Sequence, residues 1–255
     1  MKNQIHLSLA KSLVVLGALV LGLSSSHAQN LVRLHGAVTM EKLITAQKQA
    51  IESQTGTRLE VVGNGSGRGL SDLCAGLADV AMIGGSLKGV AEATNQEKPG
   101  SAKTDGMVET PITALKLVFI THPGVGVKTL TAAQLGGLLT GKTTNWKDAG
   151  GADLPVKVVL PFPGDGGRIS VQESILAGAE YAKTAILRNT SKDIVPVVSQ
   201  LPGSCSIITA KNAEGAAIAL VSGDKDLCMP VQLVTKAKPS DEVSKVVAAV
   251  KALIK

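Results

Sequence analysis

Three times along this chain an apolar, strand-like run breaks into a turn rich in glycine and polar side chains, and a helix-like segment follows. The turns are Gly36-Ala37-Val38-Thr39-Met40, Gly63-Asn64-Gly65-Ser66-Gly67-Arg68-Gly69 and Gly164-Asp165-Gly166-Gly167-Arg168. Short apolar runs alternating with helical periodicity require an α/β architecture. Strands are expected at Leu31–Leu34, Leu59–Val62, Val80–Ile83, Ile112–Thr121 and Val156–Leu160. Thr39 is the expected N-cap of a helix running to about Ser53, with Gly56 just past its end. A second helix carries Leu70, Leu73, Cys74 and Leu77 on one face, with Cys74 a buried thiol there, and a third bears Ile169, Ile175 and Leu176. Thr131 and Gln134 have the spacing of a capping box. Ser240, followed by Asp241 and Glu242, opens a C-terminal helix whose Val243, Val246, Val247, Val250, Leu253 and Ile254 form one apolar stripe. Gly89 to Gly106 is polar and Gly/Pro-containing and reads as a surface loop with room for one short helix. No internal repeat is present.

A helix N-terminus presents unpaired backbone N–H groups and a partial positive charge, so an anion is well placed there. Glycine lets the backbone approach a ligand, and serine or threonine adds a hydroxyl donor. Arg68 and Arg168 add charge and paired donors. Asp165 lies inside the third turn, where a carboxylate repels a bare anion unless the anion carries a proton to donate. Asp79 reads as the cap of a turn before a strand.

The N-terminus bears on compartment. Lys2 and Lys11 precede the apolar run Ser12–Leu23, and Ser24-Ser25-Ser26-His27-Ala28 supplies small residues. That order is expected of a secretory signal peptide over residues 1–28, cleaved after about Ala28, with export to the periplasm. The remaining chain has 24 basic and 20 acidic residues, a mild +4 excess spread along its length. Four aromatic residues, Phe119, Trp146, Phe162 and Tyr181, argue against the stacking faces of sugar and single-stranded nucleic-acid sites. Only His35 and His122 remain after cleavage, too few for a His-based metal centre or catalytic dyad, and no cofactor is expected. Cys205 and Cys228 bracket a Gly- and Ala-rich segment, and spacing leaves open whether they pair.

Two nucleotide-like motifs fail on context. Gly136 to Thr143 (GGLLTGKT) has Walker A spacing, but the residues before it are helical in pattern and a loop follows. Counting from Gly63 or Gly65, Arg68 or Leu70 stands where a dinucleotide fingerprint needs its last glycine. No nucleophile elbow surrounds Ser66, Ser86 or Ser204.

Taken in order, Gly36–Met40, Gly65-Ser66-Gly67-Arg68-Gly69 with Leu77-Ala78-Asp79-Val80-Ala81, and Leu130–Gly151 (LTAAQLGGLLTGKTTNWKDAGG) resemble the phosphate-binding family of periplasmic substrate-binding proteins. The resemblance covers most of the chain. It implies a two-lobed type II periplasmic binding protein fold, each lobe a mixed sheet flanked by helices, joined by crossing strands. Lobe one is expected at 29–115 and 222–255, and lobe two at 116–221. It also implies capture of phosphate or a related oxyanion by a monomer that serves an ABC permease or a membrane sensor, with no nucleic acid bound and no reaction catalysed. On that pattern Thr39, Met40, Ser66, Gly67 and Arg68 bind from lobe one, and Asp165, Gly166, Gly167 and Arg168 from lobe two, with Ser86 nearby.

The departures are specific. Gly84-Gly85-Ser86 stands where the family usually offers an Asp or Arg. The lobe-two loop typically reads Gly-Ser-Gly-Thr, so here two hydroxyl donors are lost and a carboxylate is gained. An upstream Arg used by some members aligns near Pro161 and is absent. Fewer donors imply weaker phosphate binding or another ligand. The rival readings are a receptor of the same fold for a non-anionic solute and, more remotely, a secreted hydrolase.

Overall fold

The computed structural model describes residues 31–189, 193–222 and 227–254. The expected leader and its cleavage site lie outside the described residues. The chain runs β1 (Leu31–Gly36), α1 (Val38–Ala46), α2 (Lys48–Thr55), β2 (Arg58–Val62), α3 (Ser66–Ala75), β3 (Val80–Gly84), α4 (Leu87–Glu97) and β4 (Val108–Thr121). Then follow β5 (Thr129–Thr131), α5 (Ala132–Thr140), β6 (Lys157–Pro161), α6 (Gly166–Ser174), β7 (Ile186–Arg188), α7 (Ile194–Gln200), β8 (Ser204–Thr209), β9 (Ala217–Ser222), β10 (Cys228–Thr235) and α8 (Asp241–Leu253).

The strands pair along one path, β2-β1-β3-β10-β4-β8-β6-β7. Strand β4 joins its two halves. From Val108 to Lys116 it pairs antiparallel with β10, and from Leu117 to Thr121 it pairs antiparallel with β8. On one side β1 lies parallel between β2 and β3; on the other, β6 lies parallel between β7 and β8. The five residues of β3, Val-Ala-Met-Ile-Gly, are all buried, the continuous apolar run expected of a strand covered on both faces. Across the second half, Trp146 and Phe119 are fully buried with ring centroids 6.3 Å apart. The Trp146 indole N–H donates to Gly203 O at 2.8 Å, so the one tryptophan leaves no polar atom stranded.

Local signals that require no distant partner formed as expected. The Thr131–Gln134 capping box is present on α5. Ser240 accepts the Val243 N–H at α8, whose Val243, Val246, Ala249 and Val250 are buried. The Walker-like stretch lies on α5 and ends at the left-handed Gly141 cap, so it forms no strand-to-helix phosphate loop.

Other expectations are corrected. The helix expected over 39–53 is two helices: the Gln47 N–H bonds Ile44 O at 3.0 Å, a tightened turn that closes α1 before α2 begins. Thr39 is inside α1, and Ala37 is its N-cap, because the Ala37 N–H is already held by Met82 O at 2.7 Å. The loop expected at 89–106, with room for one short helix, holds the eleven-residue α4, which starts two residues earlier at Leu87, is capped by Ser86, and buries Leu87, Val90, Ala91 and Thr94 at helical spacing. Leu77 is 59% exposed, because left-handed Gly76 ends α3 before it. Cys74 is half-buried, with its thiol on Lys103 O. Cys205 and Cys228 are separate thiols, opposite Thr121 and Lys116 of β4. Five strand residues span ~17 Å, far beyond the ~7 Å Cα limit of a disulfide.

Asp79 does not cap a turn. Its Oδ2 accepts from the Arg33 backbone N–H (2.9 Å) and Nε (3.0 Å), and its Oδ1 from the guanidinium at 2.9 Å. This fork ties the start of β3 to β1. Burial opposes the charge on Asp79, but the hydrogen bonds and charge of Arg33 outweigh it, and the carboxyl titrates below its usual range. Stability from this pair is therefore present above the ordinary aspartate value of 3.8 and lost as pH falls below it. Both side chains are about one-third exposed, so screening reduces its worth. Asp79→Ala is expected to cost about 1 kcal/mol at neutral pH, measured by urea unfolding, with the difference from wild type vanishing in acid.

Candidate functional site

All three glycine-rich turns open onto one cavity of about 380 Å³ between the two halves of the sheet. Ala37, Val38 and Thr39 enter it at the start of α1, Asn64 to Arg68 at the start of α3, and Gly164 to Gly167 at the start of α6. Leu117, Ile207 and Met229 from the strands form an apolar wall, and Glu97 and Lys98 stand where α4 ends.

The three helix starts differ. Neither α1 nor α3 has a side-chain cap; the Gly67 N–H of α3 is taken by Gly164 O, and the other first-turn N–H groups remain for a ligand or water. Around them, Thr39 lines the cavity and its hydroxyl takes no hydrogen bond among the described residues. Ser66 Oγ accepts the Gly84 N–H at 3.0 Å, which orients the side chain and leaves its own proton free to donate. The Arg68 guanidinium lies 5.8 Å from the Phe162 ring centroid, positioned by a cation–π contact.

By contrast α6 caps itself. Asp165 Oδ1 accepts the backbone N–H groups of Gly167 (2.9 Å) and Arg168 (3.1 Å). Donors expected to reach the ligand from this turn are therefore already engaged. Burial, the largest influence, pushes the carboxyl above its usual range; the two N–H bonds pull the other way and lose.

Of the ten residues singled out from the sequence, Thr39, Ser66, Gly67, Arg68, Asp165, Gly166 and Gly167 line this cavity. Three stand apart. Met40, expected to bind through its backbone N–H in the first turn of α1, keeps its side chain fully buried in the core. Arg168 turns away, donating to Pro161 O at 3.0 Å and lying 5.0 Å from the Tyr181 ring centroid, because its N-terminal turn is already held by Asp165. Ser86 caps α4 and donates to Glu173 of α6 at 2.5 Å.

The walls meet backbone to backbone. The Gly67 N–H donates to Gly164 O at 3.1 Å. A Cβ on Gly166 would overlap the Gly84 carbonyl, and one on Gly85 would stand 2.9 Å from Gly166 O. These glycines are required by close approach, whatever their φ.

Sequence reading missed several cavity residues. Asn64 donates to Asp72 Oδ2 at 2.9 Å, the same oxygen that lies 2.8 Å from His35 Nδ1, while Asn64 Oδ1 is buried without a partner. Thr209, at the end of β8, lines the cavity with its Oγ1 also buried and unpartnered. Asn64 was legible from its place in the second turn. Thr209 carried no local signal, since only the pairing of β8 with β4 brings it there.

Two outcomes are expected. Asp165 has a raised folded-state value, so its contribution is fully present below the ordinary 3.8 and lost as pH rises through the folded value. Melting curves from about pH 4 to about pH 8 should therefore show wild type losing stability relative to Asp165→Asn as pH rises. Gly166→Ala should hold the two halves apart. It is expected to raise the radius of gyration in small-angle scattering and weaken ligand binding at least tenfold.

The chain is similar to several characterised proteins. Phosphate-binding protein PstS of Bacillus subtilis (strain 168) is 25% identical over 178 residues, 69% of this chain and 56% of that protein. The chain thus spans about half the length of the curated relatives it matches. An ABC-type phosphate transport receptor from Vibrio cholerae shares the fold at a TM-score of 0.64 and 21% identity, covering 87% of this chain and 93% of that one. A Clostridium perfringens protein solved with bound phosphate shares it at 0.72 and 22%, with the same coverage. The fold is therefore the two-lobed type II periplasmic binding protein fold. A family model described as the PBP superfamily domain matches residues 23–251, and the chain belongs to that family of phosphate-binding-like periplasmic binding proteins.

Proposed function

We propose that this chain is an exported receptor that captures phosphate or a related oxyanion between two lobes and delivers it to an ABC permease or a membrane sensor. The observation that carries this reading is the meeting of two uncapped helix starts, those of α1 and α3, with the Ser66 hydroxyl and Arg68 at one cavity. Backbone N–H groups, a hydroxyl and a guanidinium together are the donor set an oxyanion requires. The names of the relatives, phosphate-binding protein and phosphate transport receptor, support a receptor rather than an enzyme.

The lobes divide at 115/116 and again at 221/222 in this reading; the first division is supported by β4 changing partner one residue on, between Lys116 and Leu117. Hinge motion about these crossings admits the ligand, and the glycine contacts form on closure. The receptor acts as a monomer without nucleic acid. Residues 1–28 direct export, and among the described residues no helix is long and apolar enough to cross a membrane.

A second reading rests on Asp165. Its carboxyl lines the cavity and favours a solute that offers a hydrogen-bond donor.

Thermal unfolding of ligand-stripped protein tests the proposal. Phosphate or a related oxyanion at a hundred times its dissociation constant should stabilise by about 2.7 kcal/mol, a rise in Tm on the order of 5–10 °C. Arg68→Gln should weaken the same anion about tenfold. No rise with phosphate, sulfate, arsenate or any substituted phosphate or phosphonate overturns the oxyanion reading and leaves the fold standing.

A further inference from the structure

The cavity is too large and too uneven for a bare tetrahedral anion. Its ~380 Å³ falls within the ~300–1,000 Å³ of sites that enclose whole organic ligands, whereas phosphate has only five heavy atoms. Closure cannot shrink it further, because the walls already touch through Gly67 N–H on Gly164 O and through the Gly84–Gly166 approach.

The two ends of the cavity differ in chemistry. At the α1 and α3 end, helix starts lack side-chain caps, the Ser66 proton is free and Arg68 adds full charge. At the α6 end, Asp165 Oδ1 has taken the Gly167 and Arg168 N–H groups, so a second anionic group finds no such donors there. Next to this self-capped turn the surface is apolar: a Cβ on Gly167 would lie 3.6 Å from Leu117 Cδ2 and 4.0 Å from Met229 Sδ. Thr209 stands opposite Leu117 in the strand register. It is 6% exposed, and its Oγ1 has no partner, a state that a buried hydroxyl avoids when a ligand or water can bond it. Asp165 Oδ2 likewise takes no hydrogen bond among the described residues.

We infer that the ligand is an asymmetric organic phosphoryl compound. Its anionic head lies on the starts of α1 and α3 beside Arg68. A short carbon arm crosses the wall of Leu117, Ile207 and Met229 and ends in an amino or hydroxyl donor that meets Asp165 Oδ2 and Thr209 Oγ1. This assignment rests on the oxyanion reading above and narrows it. It also gives the carboxylate in the third turn a charged or neutral donor partner, where phosphate offers at most its own P–OH.

Isothermal titration of three probes into the ligand-stripped full chain tests it: inorganic phosphate, propylphosphonate and 2-aminoethylphosphonate. The last two match in head and arm length and differ in the terminal methyl or ammonium. The expected order is 2-aminoethylphosphonate at least tenfold tighter than propylphosphonate and than inorganic phosphate. Asp165→Asn, which keeps the helix cap, should erase most of the ammonium preference. Inorganic phosphate binding as tightly as 2-aminoethylphosphonate overturns the inference and leaves the oxyanion receptor standing, as does equal binding of the two phosphonates. Heat from none of the three overturns this inference, and the wider oxyanion panel above decides separately whether the oxyanion reading stands. The wild-type series decides the matter even where the variant fails to fold.

Discussion

The start of α6 lies so close to the end of β3 that any side chain at Gly166 would overlap the Gly84 carbonyl. A few ångströms away the Gly67 N–H reaches Gly164 O across the same gap. This backbone-on-backbone seam brings three helix starts from distant parts of the chain to one cavity. A side chain at either contact would add its own radius to the separation, and groups from the two sides would no longer face one ligand. The Ser86–Glu173 hydrogen bond and the packing of Ile169 among Leu70, Leu87 and Val90 lie across the same boundary. The seam thus joins polar, apolar and backbone contacts, and each must break for the cavity to open.

Within the cavity the distribution of helix caps decides what charge is welcome. An uncapped helix start is a set of unmet donors. By leaving α1 and α3 uncapped, the chain reserves those donors for something outside itself. By placing Asp165 at α6, it consumes the third set and adds an acceptor oxygen. Burial raises the carboxyl's value even against two N–H bonds. The outcome is a site with a donor-rich end and an acceptor-bearing end, separated by an apolar wall.

Much of this was legible before any coordinates. The Thr131–Gln134 box and the Ser240-capped helix are local devices, satisfied within four residues, and they form as their sequence implies. Seven of ten singled-out residues line the cavity for the same reason: a turn between a strand and a helix carries its neighbours together. The failures were tertiary. Thr39 looked like a cap until Met82 O took the Ala37 N–H and moved the helix start. The polar residues of 89–106 hid the buried stripe of α4. Arg168 pointed at a ligand on paper, but Tyr181 and Pro161 O hold its guanidinium elsewhere.

By itself the sequence determined the α/β class, several of the strands and helices and the three turns that carry the site, because these depend on periodicity and on contacts between near neighbours. Only the tertiary structure decided which donors remain free. That question turns on Asp165 bonding its own helix, on Gly166 meeting Gly84 from some eighty residues away, and on β8 pairing with β4 to bring Thr209 to the cavity. No local pattern encodes such contacts, since each is set by the closure of the whole chain on itself.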